Sequence, residues 1–138
     1  MTGPLLLDTC AAIWVLENAS LSDEAVRAID EAADSGHPIY VSPITAWEIG
    51  MLMVRGRLKS VHSAERWFRH LLDVPGVRLA DMTPEILIAS SYLPGTLRRD
   101  PADRILAATA RELDYVLVTR DTSLLAYAAE GHLRAIAC

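Results

Sequence analysis

The sequence has 138 residues, 51% of them hydrophobic, and 13 basic against 18 acidic side chains give a formal net charge of −5. That length suits one domain with a sizeable core over residues 1–138, no segment reaches the roughly 18 uninterrupted apolar residues of a membrane span, and the acidic balance argues against binding nucleic acid through bulk positive charge. No basic segment precedes an apolar stretch with a small-residue cleavage site, and Cys10 and Cys138 form no CxxC pair, so a cytoplasmic protein with incidental thiols is expected.

In chain order, Pro4 introduces a strand at Leu5–Leu7, and a helix is predicted from about Thr9 to Glu17. Ser22 caps a second helix to about Asp34, with Ala25, Val26 and Ile29 as its apolar stripe. Gly36-His37-Pro38 ends it, and Ile39–Val41 is the next strand. Ser42-Pro43, Thr83-Pro84 and Asp100-Pro101 each pair an N-cap with a proline suited to the first helical position. They predict helices over Pro43–Val54, Pro84–Ser91 and Pro101–Leu113. A further helix is expected from about Ser63 to Asp73, a strand at Val77–Ala80 and a strand at Tyr115–Val118. A short helix at Ser123–Ala128 and an edge strand at Leu133–Ala137 complete the chain. Helices alternating with short aliphatic runs that lack two-residue alternation imply a parallel α/β sheet covered on both faces.

Asp8 and Asp121 directly follow the apolar runs Leu5–Leu7 and Val116-Leu117-Val118-Thr119-Arg120. Asp103 lies in the opening turn of a helix, three residues after Asp100. Each aspartate also has a plain structural reading, as an N-cap or as an acid favourable at a helix N-terminus. Glu48 differs, because no other charged residue occurs from Ser42 to Val54. A glutamate alone on an apolar helix needs a partner, since unpaired burial of charge costs several kcal/mol. An arginine elsewhere and a metal ion both satisfy that need. Arg98, Arg99, Arg104 and Arg120 lie near two of the acids in sequence, either as solvated side chains or as phosphate contacts.

Sites of open parallel sheets form beyond the carboxyl ends of strands. If these segments make such a sheet, Asp8, Glu48, Asp103 and Asp121 converge at one edge. Acids brought that close repel, so the cluster is expected to hold a divalent cation or keep a proton. Hard oxygen donors suit Mg2+ or Mn2+, whereas His37, His62, His70 and His132 lack paired spacing for zinc. Neither a GxxxxGK[ST] phosphate loop nor a GxSxG elbow is present. Two other readings stand beside hydrolysis. A receiver-like signalling domain wants an acidic pair after its first strand and a lysine after a later one, but Thr9 follows Asp8 and Lys59 is the sole lysine. A non-catalytic module would use the acids to bind metal structurally.

The stretches Leu5 to Thr9 (LLLDT), Ser42 to Gly50 (SPITAWEIG), Asp100 to Ala110 (DPADRILAATA) and Val118 to Asp121 (VTRD) together resemble PIN-domain proteins. More narrowly, the chain is similar to VapC-type ribonuclease toxins of prokaryotic toxin–antitoxin pairs. The resemblance spans nearly the whole chain and rests on the ordered set of motifs. It implies a PIN-like three-layer α/β sandwich, with a central parallel sheet of four to five strands flanked by helices. It further implies Mg2+- or Mn2+-dependent endoribonuclease activity on an RNA substrate, a homodimer, and a VapB-like antitoxin that covers the site. By motif, Asp8, Glu48, Asp103 and Asp121 match the family's acidic positions, and Asp100 and Thr119 match accompanying polar ones, with Asp100 structural. Thr9 and Thr119 are candidates to position water or a phosphate oxygen, beside turn and cap duties. The segment Leu93–Arg99 lacks the histidine many relatives carry near Arg99, and Ser60–Val74 also departs from them. Trp14, Trp47, Trp67 and Phe68 are expected in the core.

Overall fold

Five short apolar runs pair side by side into an all-parallel sheet: β1 (Leu5–Leu7), β2 (Ile39–Val41), β3 (Val77–Leu79), β4 (Val116–Thr119) and β5 (Arg134–Ala137), in the order β3-β2-β1-β4-β5. The structure, a computed structural model, describes residues 3–17 and 20–138. The helices are α1 (Thr9–Leu16), α2 (Asp23–Asp34), α3 (Pro43–Val54), α4 (Ala64–Asp73), α5 (Pro84–Ala89), α6 (Pro101–Leu113) and α7 (Thr122–Ala129). Every one of these helices begins on a Ser, Thr or Asp whose side chain accepts from a backbone N–H of the first turn. The Ser42-Pro43, Thr83-Pro84 and Asp100-Pro101 pairs all start helices as expected.

Strand alternation splits the interior in two. Leu5, Leu7, Val41, Val116 and Val118 face a core completed by Ala11 and Ala12 of α1, Ala25, Ala28 and Ala32 of α2, Ile49 of α3, and Trp67 and Leu71 of α4. Leu6 and Leu117 face the other way, against Leu106, Ala107 and Ala110 of α6 and Leu124 and Tyr127 of α7. The central strands are buried on both faces, which explains why their sequences run continuously apolar. Cys10 and Cys138 are both free. Among the described residues, no helix is long and apolar enough to cross a membrane.

Several expectations need correction. Strand and helix ends move by a residue or two; α5 stops at Ala89 rather than Ser91, and β4 reaches Thr119. The buried stripe of α2 is Ala25, Ala28 and Ala32, with Val26 outside it at 44% exposure, because small residues let the helix lie close to the sheet. Trp47 is half exposed rather than core, since Thr45 and Ile49 carry the inward face of α3. Trp67 is buried as expected, whereas Trp14 is half-buried with the Arg120 guanidinium 3.3 Å above its ring.

The segment between α5 and α6 is held by contacts from three directions. Arg104 donates to the carbonyls of Ser90 (2.9 Å) and Leu97 (3.0 Å), and the Tyr127 hydroxyl donates to the carbonyl of Pro94. Gly95 sits against His132 with φ +66°, and a Cβ there would come within 2.4 Å of His132 Nε2. Gly95→Ala is therefore expected to lose about 1–3 kcal/mol from the left-handed backbone, plus the clash. Gly131→Ala, at φ +90° in open space, should lose only the backbone part. Urea unfolding of both variants measures this, and equal losses would mean that His132 simply moves aside.

Candidate active site

The site is built at the carboxyl edge of the sheet, where β1 and β4 lie side by side but hand the chain off in opposite directions. Such a switch point leaves a crevice between two strand ends. Asp8 follows β1, and its N–H donates to the Val118 carbonyl of β4 (3.0 Å). Asp121 follows β4 by two residues and caps α7. Helices α3 and α6, which carry Glu48 and Asp103, pack on each other across the same edge.

Thr119 joins the two strand-end acids. Its hydroxyl donates to Asp8 Oδ2 at 2.6 Å and accepts from the Asp121 N–H at 3.0 Å. Asp8 Oδ1 accepts from the Ala11 N–H at 2.7 Å, so both carboxylate oxygens are held. Asp8 is 6% exposed and Thr119 fully buried. The hydroxyl of Thr9 donates to Glu48 Oε1. With that proton committed, Thr9 Oγ1 accepts from the buried Thr45 hydroxyl, 3.2 Å away. Thr45 lies three residues before Glu48 on the same helix face. Thus Thr9 and Thr119 each fix an acid on a neighbouring element, a duty distinct from turn and cap roles.

Arg98 closes the cluster. Its Nη2 donates to Asp103 Oδ2 at 2.6 Å and to Asp121 Oδ2 at 2.7 Å, and its Nε also reaches Asp103 Oδ2 at 3.0 Å. The other arginines near the acids in sequence serve elsewhere. Arg104 ties down the loop, and Arg120 stacks on Trp14 and donates to the Cys138 carbonyl. Asp100 caps α6 by accepting from the Asp103 N–H at 3.1 Å, the structural role expected of it.

Burial pushes the carboxyl of Asp8 up, against the pull of the Thr119 and Ala11 hydrogen bonds. It likewise raises Glu48, opposed by the bond from Thr9 and reinforced by the charges of Asp100, Asp103 and Asp8. Asp103 rises for the same reason, although Arg98 offsets part of the effect. The acids therefore share one electrostatic environment that disfavours their combined ionisation.

Among the described residues, no three His, Cys, Asp or Glu side chains are grouped so as to hold a metal ion. The fully assembled set of ligands is thus absent, but two carboxylate oxygens do point at a single cationic atom, Arg98 Nη2. A pair of carboxylates completed by water suits Mg2+, which keeps much of its hydration shell in proteins. The donor chemistry fits a hard divalent cation at Asp103 and Asp121; Asp8 feels the charge of Asp121, and Glu48 those of Asp100, Asp103 and Asp8.

Thr45 was not singled out from sequence, although its helical spacing from Glu48 carried a readable signal, and Arg98 stood out only as one of four arginines near the acids. Its place five residues before Asp103 was a local signal, whereas its reach to Asp121, 23 residues away, was not.

The raised carboxyl of Glu48 has a defined effect on stability. The folded state binds the proton more tightly than the unfolded chain, so the favourable contribution is full below the ordinary value of 4.5 and is lost as pH rises through the folded value. Glu48→Gln, which keeps an acceptor for Thr9, should raise the metal-free Tm at pH 7.5. That gain should shrink towards pH 4.5. A melting series in EDTA checks this, and a gain independent of pH would rule out desolvation as its origin.

A family model for the PIN domain matches residues 5–130. The chain is 32% identical over 124 residues to Ribonuclease VapC22 of Mycobacterium tuberculosis, an alignment covering 90% of this chain and 91% of that protein. Among solved structures, VapBC2 of Rickettsia felis bound to a promoter DNA fragment aligns with a TM-score of 0.66 at 14% identity, over 97% of this chain and 98% of that one. DNA-bound VapBC of Salmonella typhimurium aligns with a TM-score of 0.64 at 19% identity, over 99% of this chain and 98% of that one. At such low identity these two likenesses concern the fold, which is the three-layer parallel architecture found here. The family match and the VapC relative together carry the assignment: this chain belongs to the PIN-domain family, among its VapC-type members.

Proposed function

We propose that the chain is a VapC-type toxin, an endoribonuclease that hydrolyses RNA phosphodiester bonds and is neutralised by a VapB-like antitoxin. The observation that supports this reading is that, at the β1–β4 switch point, Arg98 bridges Asp103 and Asp121 while Thr119 ties Asp8 to Asp121, and burial raises the carboxyls of Asp8, Asp103 and Glu48. Kinship with a ribonuclease supports the reaction class. The relatives crystallised as VapBC complexes support the antitoxin. The protein would act as a single PIN domain, as a homodimer, in the cytoplasm.

Asp103 and Asp121 would hold a Mg2+ or Mn2+ ion, with Asp8 and Glu48 completing its environment directly or through water. When bound, such an ion supplies charge neutralisation at the phosphate and acidity to a coordinated water. The chain's own groups supply position and proton traffic. Asp8 is fixed at both oxygens by Thr119 and Ala11, so its orientation does not depend on substrate. Thr119 couples Asp8 to the backbone of Asp121 and so holds the spacing of the two strand-end acids. Glu48 uses Oε1 to accept from Thr9, leaving Oε2 to take a proton from the attacking water. Its raised carboxyl suits that duty, because a base works best when its pKa lies nearer the working pH. Asp100 supports the start of α6 and Thr9 the rotamer of Glu48.

Cleavage of a structured RNA pool by antitoxin-free protein should require Mg2+ or Mn2+ and stop in EDTA. Asp103→Asn should remove activity while leaving the circular dichroism spectrum unchanged. Thr119→Val, which keeps the side-chain shape but loses the hydroxyl, should lower kcat about 10–100-fold, the usual effect of removing a group that orients a ligand residue. Full activity of Asp103→Asn, or undiminished cleavage in EDTA, would overturn the assignment.

A further inference from the structure

We propose that Arg98 is a tethered counter-ion that competes with the divalent cation for Asp103 and Asp121. Its Nη2 lies 2.6 Å and 2.7 Å from one oxygen of each acid, at the point where those carboxylates face each other. One positive charge there offsets the repulsion between two carboxylates that both reach the same nitrogen. A metal binding at this pair must therefore displace a guanidinium that is already bonded, rather than enter a free site. This inference rests on the metal-dependent reading above.

The surroundings allow that exchange by movement of one side chain. The backbone just before Arg98 is held, since Leu97 is 7% exposed and its carbonyl accepts from Arg104 at 3.0 Å. The Arg98 side chain itself is 51% exposed, against 15% for Asp103 and 22% for Asp121. It thus approaches the acids from the solvent side. A long flexible side chain on a fixed backbone can leave without unfolding the loop. Once displaced, it stays tethered at the mouth of the site, where an RNA phosphate provides the next available anion. The protein would in this way be guarded against charge repulsion when metal-free, at the expense of metal affinity.

The test is Mn2+ binding, measured by calorimetry and by electron paramagnetic resonance of the free ion, on the wild type, Arg98→Gln and Arg98→Lys. Removing the competitor should tighten Mn2+ binding about 3–10-fold in Arg98→Gln, the range set by losing a pair of partly exposed, charge-assisted contacts. Arg98→Lys, a point charge that cannot fork, should fall between. In EDTA, Arg98→Gln should melt below the wild type, and saturating Mn2+ should raise its Tm by more than it raises that of the wild type. Equal or weaker Mn2+ binding in Arg98→Gln, with the wild type binding normally, would overturn competition while leaving the metal-dependent nuclease intact. Absence of Mn2+ binding from the wild type and both variants would overturn the metal reading, and this inference with it.

Discussion

Partial burial of carboxylates that also repel one another is the constraint on which this structure turns. A parallel sheet delivers every strand's carboxyl end to the same edge, and the order β3-β2-β1-β4-β5 places the ends of β1 and β4 together. Acids following those strands, and acids on helices packed over them, then share a space that partly excludes water. Desolvation and like charge both work against ionisation there. The fold must hold these groups in place without letting them neutralise the chemistry they are meant to perform.

The response is a set of short polar clamps. Thr119 spans Asp8 and Asp121, while Thr9 bonds Glu48 and is itself bonded to Thr45. Hydroxyls orient a carboxylate without cancelling its charge, so the acids stay available to a cation. Arg98 is the exception, a full charge on a long side chain that enters from solvent. Its exposure makes the pairing weak enough to exchange. The buried threonines, by contrast, cannot easily leave, because among the described residues the buried polar side-chain atoms all have partners and breaking one bond strands another.

Basic residues show how little charge alone says about role. Arg98, Arg104 and Arg120 lie close in sequence to the acids, yet one bonds the cluster, one secures a loop and one stacks on Trp14. The difference comes from which neighbours the fold presents to each guanidinium. Arg104 projects from α6 onto the carbonyls of Ser90 and Leu97, so its Nε and Nη1 bond backbone rather than an acid.

The local code of this chain was strong enough to be read directly. Prolines after N-cap residues marked the starts of α3, α5 and α6, and continuous apolar triplets marked strands buried on both faces. The acids, too, were legible, because a glutamate alone on an uncharged helix and aspartates just past strand ends are local patterns with physical causes. Other features depended on distances between segments far apart in the chain. Trp47 looked like core until packing gave the inward face of α3 to Thr45 and Ile49. Val26 likewise lost its place to a stripe of alanines that lets α2 approach the sheet closely. The Arg98–Asp121, Thr9–Thr45, Thr9–Glu48 and Thr119–Asp8 bonds link residues from 23 to 111 positions apart. Side-chain contacts across such separations exist only once the sheet order is set. Sequence alone therefore determined the elements and marked the candidate acids, and tertiary structure decided how those side chains are held and which guanidinium meets two of them.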